Sequence, residues 1–279
     1  MKLCVIGLGL IGGSLALGLR DRGRVSRVTG VDNNAVHAAT ALRLGLCDEV
    51  LPLEEAVRGA DAVALAVPVD ILSVLLPQVL DLVDRQVVFD VGSTKGPVLA
   101  AVAGHPLRGR FVAAHPMWGT EYSGPEAAVH GAFARKAAVL CDREYSDADA
   151  AQLVEGIFRD LGMHLVYMKG AEHDLHVAYV SHISHITSFA LANTVLEKER
   201  ADAAIFELAS GGFESTVRLA KSSPAMWVPI FRQNRDNVLD VLNEHISQLR
   251  KFKDCLEKDN YEYLAELITQ ANTIKRIIR

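Results

Sequence analysis

The chain has 279 residues, half of them hydrophobic and 23% charged, and at roughly 150 residues per domain that length predicts about two domains. Lys+Arg 29 against Asp+Glu 34 gives a net charge of −5, so no basic surface for nucleic acid is expected. The four cysteines, Cys4, Cys47, Cys141 and Cys255, lie far apart with no CxxC, which argues against a disulfide scaffold or zinc ribbon and fits a reduced, cytoplasmic compartment.

Lys2–Gly7 is a short β-branched apolar run ending in glycine and reads as a buried strand, followed by helical spacing over Ile11–Asp21. The 17 uncharged residues Leu3–Leu19 have the look of a secretion signal, but five glycines interrupt them and no cleavage site follows. They are also too broken to span a membrane. Arg27–Asp32 predicts a second strand and Ala35–Leu44 a helix. Asp61–Val67 predicts a third strand, with a helix at Ile71–Val83, and Gln86–Val91 and Phe111–Ala114 predict further strands. Ala137–Cys141 and His164–Tyr167 flank an amphipathic helix over Asp147–Leu161. Strands alternating with helices imply an α/β fold with a doubly wound, Rossmann-type parallel sheet. Composition changes near residue 165: 18 of 21 glycines and seven of nine prolines precede it. Beyond Lys169 the chain reads as helices, over Glu172–Glu199, Leu239–Asp254 and Tyr261–Ile278. The expected organisation is a dinucleotide domain over 1–168 and an all-α domain over 169–279.

The first strand runs into Gly7-Leu8-Gly9-Leu10-Ile11-Gly12, a GxGxxG placed between strand and helix. Gly7 permits the tight turn, Gly9 a close backbone approach to a pyrophosphate, and Gly12 close helix–strand packing. Leu10 and Ile11 lead into the helix, whose free N–H groups and positive dipole end suit a phosphate. Asp32 ends the second strand 20 residues past Gly12, where a carboxylate accepts hydrogen bonds from ribose hydroxyls and repels a 2′-phosphate. NAD is therefore expected over NADP.

His115 stands just after the Phe111–Ala114 strand, and Ser93 follows Gln86–Val91 in the same way. Ligands collect at the carboxyl ends of such strands, so both should face one crevice. A neutral histidine there can take a hydroxyl proton while hydride leaves to the cofactor. His182 and His185, three apart, should share a helix face. They invite a zinc reading, but no HExxH occurs and hydride transfer needs no metal, so none is expected. Arg218, just past the Gly211-Gly212 turn, suits capture of a carboxylate.

Five segments occur in this order, GLGLIGGS (7–14), DVGSTKG (90–96), AAHPMWGTEYSG (113–124), YVSHISH (179–185) and ASGGFESTVRLAKSSPAMW (209–227), spread from residue 7 to residue 227 across both expected domains. The chain resembles the prephenate/arogenate dehydrogenase family of tyrosine biosynthesis. The resemblance implies an NAD-dependent, homodimeric enzyme that oxidises prephenate to 4-hydroxyphenylpyruvate with loss of CO2. It implies that His115 accepts the proton of the C4 hydroxyl and that Ser93 is its partner. It further implies that Arg218 holds a substrate carboxylate, that His185 and His182 lie beside the side chain, and that Thr120 and Glu121 lie near the mouth. Neither a mutase-like segment before the first strand nor a regulatory domain after residue 279 is expected, so any tyrosine inhibition is expected at the active site. Glu214 near Arg218 leaves open a preference for the ammonium group of arogenate. The same two-domain plan also admits a 3-hydroxyacid or ketol-acid dehydrogenase, and a non-catalytic NAD-binding sensor.

Overall fold

A computed structural model describes residues 1–199 and 205–276. Its strands and helices alternate: β1 (Lys2–Ile6), α1 (Leu10–Asp21), β2 (Arg27–Val31), α2 (Ala35–Arg43), β3 (Glu49–Val50), α3 (Leu53–Arg58), β4 (Ala62–Leu65), α4 (Val69–Leu82), β5 (Val87–Asp90), α5 (Gly96–Val102), β6 (Phe111–Pro116), β7 (Ala137–Cys141), α6 (Ala148–Asp160) and β8 (His164–Met168). The eight strands form one sheet in the order β3-β2-β1-β4-β5-β6-β7-β8, parallel throughout except between β6 and β7. This is the expected Rossmann-type sheet, extended by two strands at one edge. The expected strands and helices are all present there, with ends within one to two residues.

Side-chain alternation builds the two cores. Leu3 and Val5 of β1, Ala62 and Ala64 of β4, and Val87 and Phe89 of β5 face α1 and α6. Cys4, Ile6, Val63, Leu65 and Val88 face α3, α4 and α5. With both faces covered, β4 and β5 are buried at every position, which is why they read as continuous apolar runs. Phe89 is fully buried and meets Phe158 of α6 edge-on at 5.9 Å. Burying such a ring contributes about 1.5–3 kcal/mol.

Beyond the sheet come α7 (Gly170–Val177), a π-helical turn (Ala178–His182), α8 (Ile183–Glu199), α9 (Gly211–Val217), a 3-10 turn (Arg218–Lys221), α10 (Pro224–Gln233), α11 (Arg235–Glu257) and α12 (Tyr261–Ala271). The helix expected over Glu172–Glu199 is thus broken by a π turn, a form that concentrates at functional sites. The helix expected to Ile278 stops at Ala271 and tightens to 3-10 over Asn272–Arg276, and residues 277 and 278 lie outside the described residues. Two compact units result, Met1–Asn234 and Arg235–Arg279. Helices α7 to α10 lie in the first of these units with the sheet. In the second unit α11 and α12 pack on each other. Among the described residues no helix is long and apolar enough to cross a membrane.

Candidate active site

The glycine loop between β1 and α1 has the geometry a dinucleotide needs. Gly7 sits at φ +95°, and a Cβ there would stand 2.5 Å from the Ala66 carbonyl oxygen. A Cβ on Gly12 would overlap the Gly7 carbonyl oxygen, so the helix can lie this close to the strand only with glycine. A Cβ on Gly9 would meet nothing within 4 Å, so the backbone there is open to a close-approaching ligand. Leu10 and Ile11 form the first turn of α1, which carries no side-chain cap. Asp32, just past β2, accepts the Leu8 N–H on Oδ2 and the Asn34 N–H on Oδ1, each at 2.9 Å. One carboxylate thereby ties the β2 end to the glycine loop, and lone pairs remain for sugar hydroxyls. The residues present fit a dinucleotide.

Strands β1, β4, β5 and β6 run parallel, so the glycine loop, the 92–96 loop and His115 lie toward one edge of the sheet. The pairing Phe89↔Val112 places Ser93 and His115 just beyond the paired part of β5 and β6. His115 is not past its strand, as expected, but inside it: β6 leaves β5 after Val112 and continues to Pro116 against β7, with His115 opposite Val139.

A buried polar knot holds this edge. Asp90 Oδ1 accepts the Ala114 N–H at 3.0 Å, and Oδ2 accepts the Gly92 N–H at 2.9 Å and the Lys95 ammonium at 2.5 Å. Lys95 also donates to the Gly92 carbonyl at 2.7 Å. Both side chains of the ion pair are 0% exposed. The loop that carries Ser93 is thus folded around its own lysine. Thr94 adds a 2.6 Å hydrogen bond to Gln233 of α10, and Gln233 in turn donates to the Val69 carbonyl.

His115 Nδ1 lies 2.8 Å from Nε2 of His173, and His173 Nδ1 lies 2.8 Å from Asp174 Oδ1. Asp174 also accepts the Lys95 N–H at 2.8 Å and the Gly96 N–H at 2.7 Å. Burial, then the neighbouring His173, Lys95 and His182, hold the His115 pKa well below the ordinary histidine value, so its ring is neutral at pH 7. Burial also lowers His173, against the opposing pull of Asp174. For Asp174, burial alone would raise the carboxyl, but His173 and the two backbone N–H donors outweigh it and hold it low.

The remaining candidates gather around Trp227 of α10. His185 stacks on it at 3.5 Å between ring centroids, and His182 meets it edge-on at 5.8 Å. The expected shared face is therefore real, and a tryptophan fills it. Trp227 Nε1 is buried without a hydrogen-bond partner among the described residues. Burial lowers His182 to about 4 and depresses His185 as well. Arg218 donates to Glu121 Oε2 at 2.7 Å, joining the 3-10 turn after α9 to the loop after β6. The arginine side chain is half-exposed, so its guanidinium remains open to a ligand. Thr120 accepts only the Tyr122 N–H of its own turn among the described contacts. Glu214 is exposed on α9. Sequence reasoning passed over the roles of Asp90, Lys95, His173, Asp174 and Trp227. The adjacent His173-Asp174 pair at the start of a helix was the one available sign.

Comparison with known proteins bears on the same residues. The family described as "Prephenate dehydrogenase, nucleotide-binding domain" matches residues 15–167, and "Prephenate dehydrogenase, dimerization domain" matches residues 169–270. A prephenate dehydrogenase of Bacillus subtilis is 32% identical over 266 residues, covering 94% of this chain and 72% of that protein. The crystal structure of prephenate dehydrogenase from A. aeolicus, in complex with hydroxyphenyl propionate and NAD+, superposes with a TM-score of 0.88 at 28% identity, covering 100% of this chain and 98% of that one. Synechocystis arogenate dehydrogenase superposes with a TM-score of 0.76 at 26% identity, each chain covered fully. On the two family matches and the Bacillus relative, the chain belongs to the prephenate dehydrogenase family.

Proposed function

We propose that this protein is an NAD-dependent prephenate dehydrogenase of tyrosine biosynthesis, converting prephenate to 4-hydroxyphenylpyruvate and CO2. The observation that carries the reading is a neutral, part-buried His115 at the same sheet edge as a glycine loop built for a dinucleotide. The backbone of residues 7–12 would hold the pyrophosphate and Asp32 the ribose. When bound, NAD+ supplies the hydride acceptor for C4 of the ring.

The chain's own residues then have a short task. His115 takes the proton of the C4 hydroxyl, and Ser93, on the loop knotted by Lys95, orients that oxygen. Arg218 holds a substrate carboxylate by a charge-assisted hydrogen bond. His182, His185 and Trp227 line the substrate side chain. Once C4 is a carbonyl, the ring carboxylate leaves as CO2 and its electrons aromatise the ring. The new phenolate oxygen takes back the proton that His115 removed, so the base ends each turnover neutral. Positioning and one reversible proton transfer are what the protein adds, because aromatisation drives the rest.

The match to a dimerization domain supports a homodimer, and four buried free cysteines support a cytoplasmic setting. The test is purified protein with NAD+ or NADP+ and either prephenate or arogenate, followed by absorbance of the reduced cofactor. Turnover of prephenate with NAD+ is expected, and His115→Ala should lower kcat by about 10²–10⁴. A strong preference for arogenate would move the assignment to arogenate dehydrogenase. No turnover with either substrate would overturn the enzymatic reading.

A further inference from the structure

The hydrogen-bond chain from His115 to Asp174 has only one consistent set of protons. Asp174 accepts from three groups, His173 Nδ1, the Lys95 N–H and the Gly96 N–H, and so acts as an ionised acceptor. It has no proton to give, so His173 carries its proton on Nδ1. A neutral imidazole with Nδ1 protonated has its lone pair on Nε2. The 2.8 Å contact from His173 Nε2 to His115 Nδ1 then needs its proton on His115. That leaves the lone pair of His115 on Nε2.

We propose that His173 and Asp174 are positioning residues that lock His115 in the tautomer with a basic Nε2 and draw off the proton it displaces. The proposal rests on the reading of His115 as the base, and it extends that reading to two residues buried behind it. The proton balance is simple. The substrate hydroxyl gives its proton to His115 Nε2, and the C4–H leaves as hydride to the nicotinamide cofactor. The Nδ1 proton of His115 moves to His173 Nε2, so the positive charge forms beside the Asp174 carboxylate. The reverse shift returns the proton to the phenolate oxygen. The two rings stand at 72° with centroids 5.0 Å apart, an edge-on arrangement compatible with a hydrogen bond between ring nitrogens. His173 and Asp174 are both buried, so water does not compete for these contacts.

The experiment has two arms. In the first, long-range proton–nitrogen NMR of 15N-histidine protein, free of cofactor and substrate, reads which nitrogen of each ring carries hydrogen, with His115→Gln and His173→Gln spectra assigning the signals. The proposal requires Nδ1–H on both His115 and His173. Nε2–H on His115 overturns it, whatever the enzyme turns over. In the second arm, Asp174→Asn should reverse the chain and lower kcat by about 10²–10⁴, as expected for a base held in the wrong tautomer. His173→Gln keeps an acceptor for His115 Nδ1 but cannot take a proton, so kcat should fall by about tenfold or more with KM for substrate unchanged. Unchanged kcat in a folded His173→Gln variant overturns the proton-uptake role. If the Nδ1–H pattern is found in a protein that oxidises neither prephenate nor arogenate, the tautomer lock stands and the proposed function fails.

Discussion

The Lys95–Asp90 pair gives the sharpest stability prediction. Lys95→Met keeps the length and apolar stem of the side chain and removes only the ammonium. The Asp90 carboxylate, 0% exposed, then keeps the Gly92 and Ala114 N–H groups but loses its cation. The Gly92 carbonyl loses a 2.7 Å donor at the same time. Removing one member of a fully buried ion pair costs about 3–5 kcal/mol, because the other charge stays desolvated. For a chain of this size, about 2–4 °C of Tm per kcal/mol converts that to a fall of roughly 6–20 °C. Activity should fall as well, since the lysine organises the loop that presents Ser93. Differential scanning calorimetry on the variant reads the first effect, and steady-state kinetics below its new Tm reads the second. The double variant Lys95→Met with Asp90→Asn should recover part of the loss, because no uncompensated charge remains. A Lys95→Met protein within about 1 kcal/mol of wild type would refute the argument that this knot is dry and paired.

Three further outcomes follow from the same geometry. Arg218→Ala should raise KM for substrate by about 10–100-fold with a smaller change in kcat, the cost of one charged hydrogen bond to a carboxylate, and an unchanged KM would make the Glu121 contact purely structural. Asp32→Ala should lower kcat/KM for NAD+ by about 10–100-fold through lost ribose hydrogen bonds and relax discrimination against NADP+, which paired cofactor titrations would read. Acid should destabilise the fold through His182, which is 1% exposed and lowered from 6.5 to about 4 by burial. Its contribution is intact above pH 6.5 and is lost as pH falls toward 4, because the unfolded chain binds a proton that the folded one refuses. Unfolding free energies from urea titrations at pH 6.5 and 5 should therefore differ by about 1.5–2 kcal/mol more in wild type than in His182→Gln.

The centre of the sheet was legible because its strands are buried apolar runs, as in Ala62–Leu65 before Pro68 and Val87–Asp90. Elements too short to show a period were not: β3 has two residues, α3 six and α5 seven. The π turn at Ala178–His182 escaped for another reason, since one extra residue per turn leaves the apolar spacing of a long helix nearly unchanged. The same split runs through the site. Gly7, Gly9, Gly12 and Asp32 act within one βαβ unit, so their spacing in the chain is their geometry. His115 could be placed by its strand. Its partner His173 lies 58 residues away, and the Asp174 contacts to the Lys95 and Gly96 N–H groups span 79 and 78 residues. Those roles exist only once α7 docks against the 92–96 loop. The Glu121–Arg218 pair, 97 residues apart, was likewise two separate candidates until the fold joined them.

Asp174 also explains why two histidines of the candidate site are held in opposite tautomers. Its backbone carbonyl accepts the Asn234 side-chain N–H at 2.6 Å, which fixes the orientation of that amide, because a carbonyl cannot donate. The second hydrogen on the same nitrogen points toward His182 Nδ1 at 3.2 Å. His182 must then accept at Nδ1 and carry its proton on Nε2. Its neighbour His115 is held the other way, with a lone pair on Nε2, through His173 and the Asp174 carboxylate. Burial is the leading cause that keeps both rings neutral, so neither can escape its assigned tautomer by taking a second proton at pH 7. One aspartate, through its side chain and its backbone, thus yields a ring that can accept a proton and a ring that can only donate a hydrogen bond.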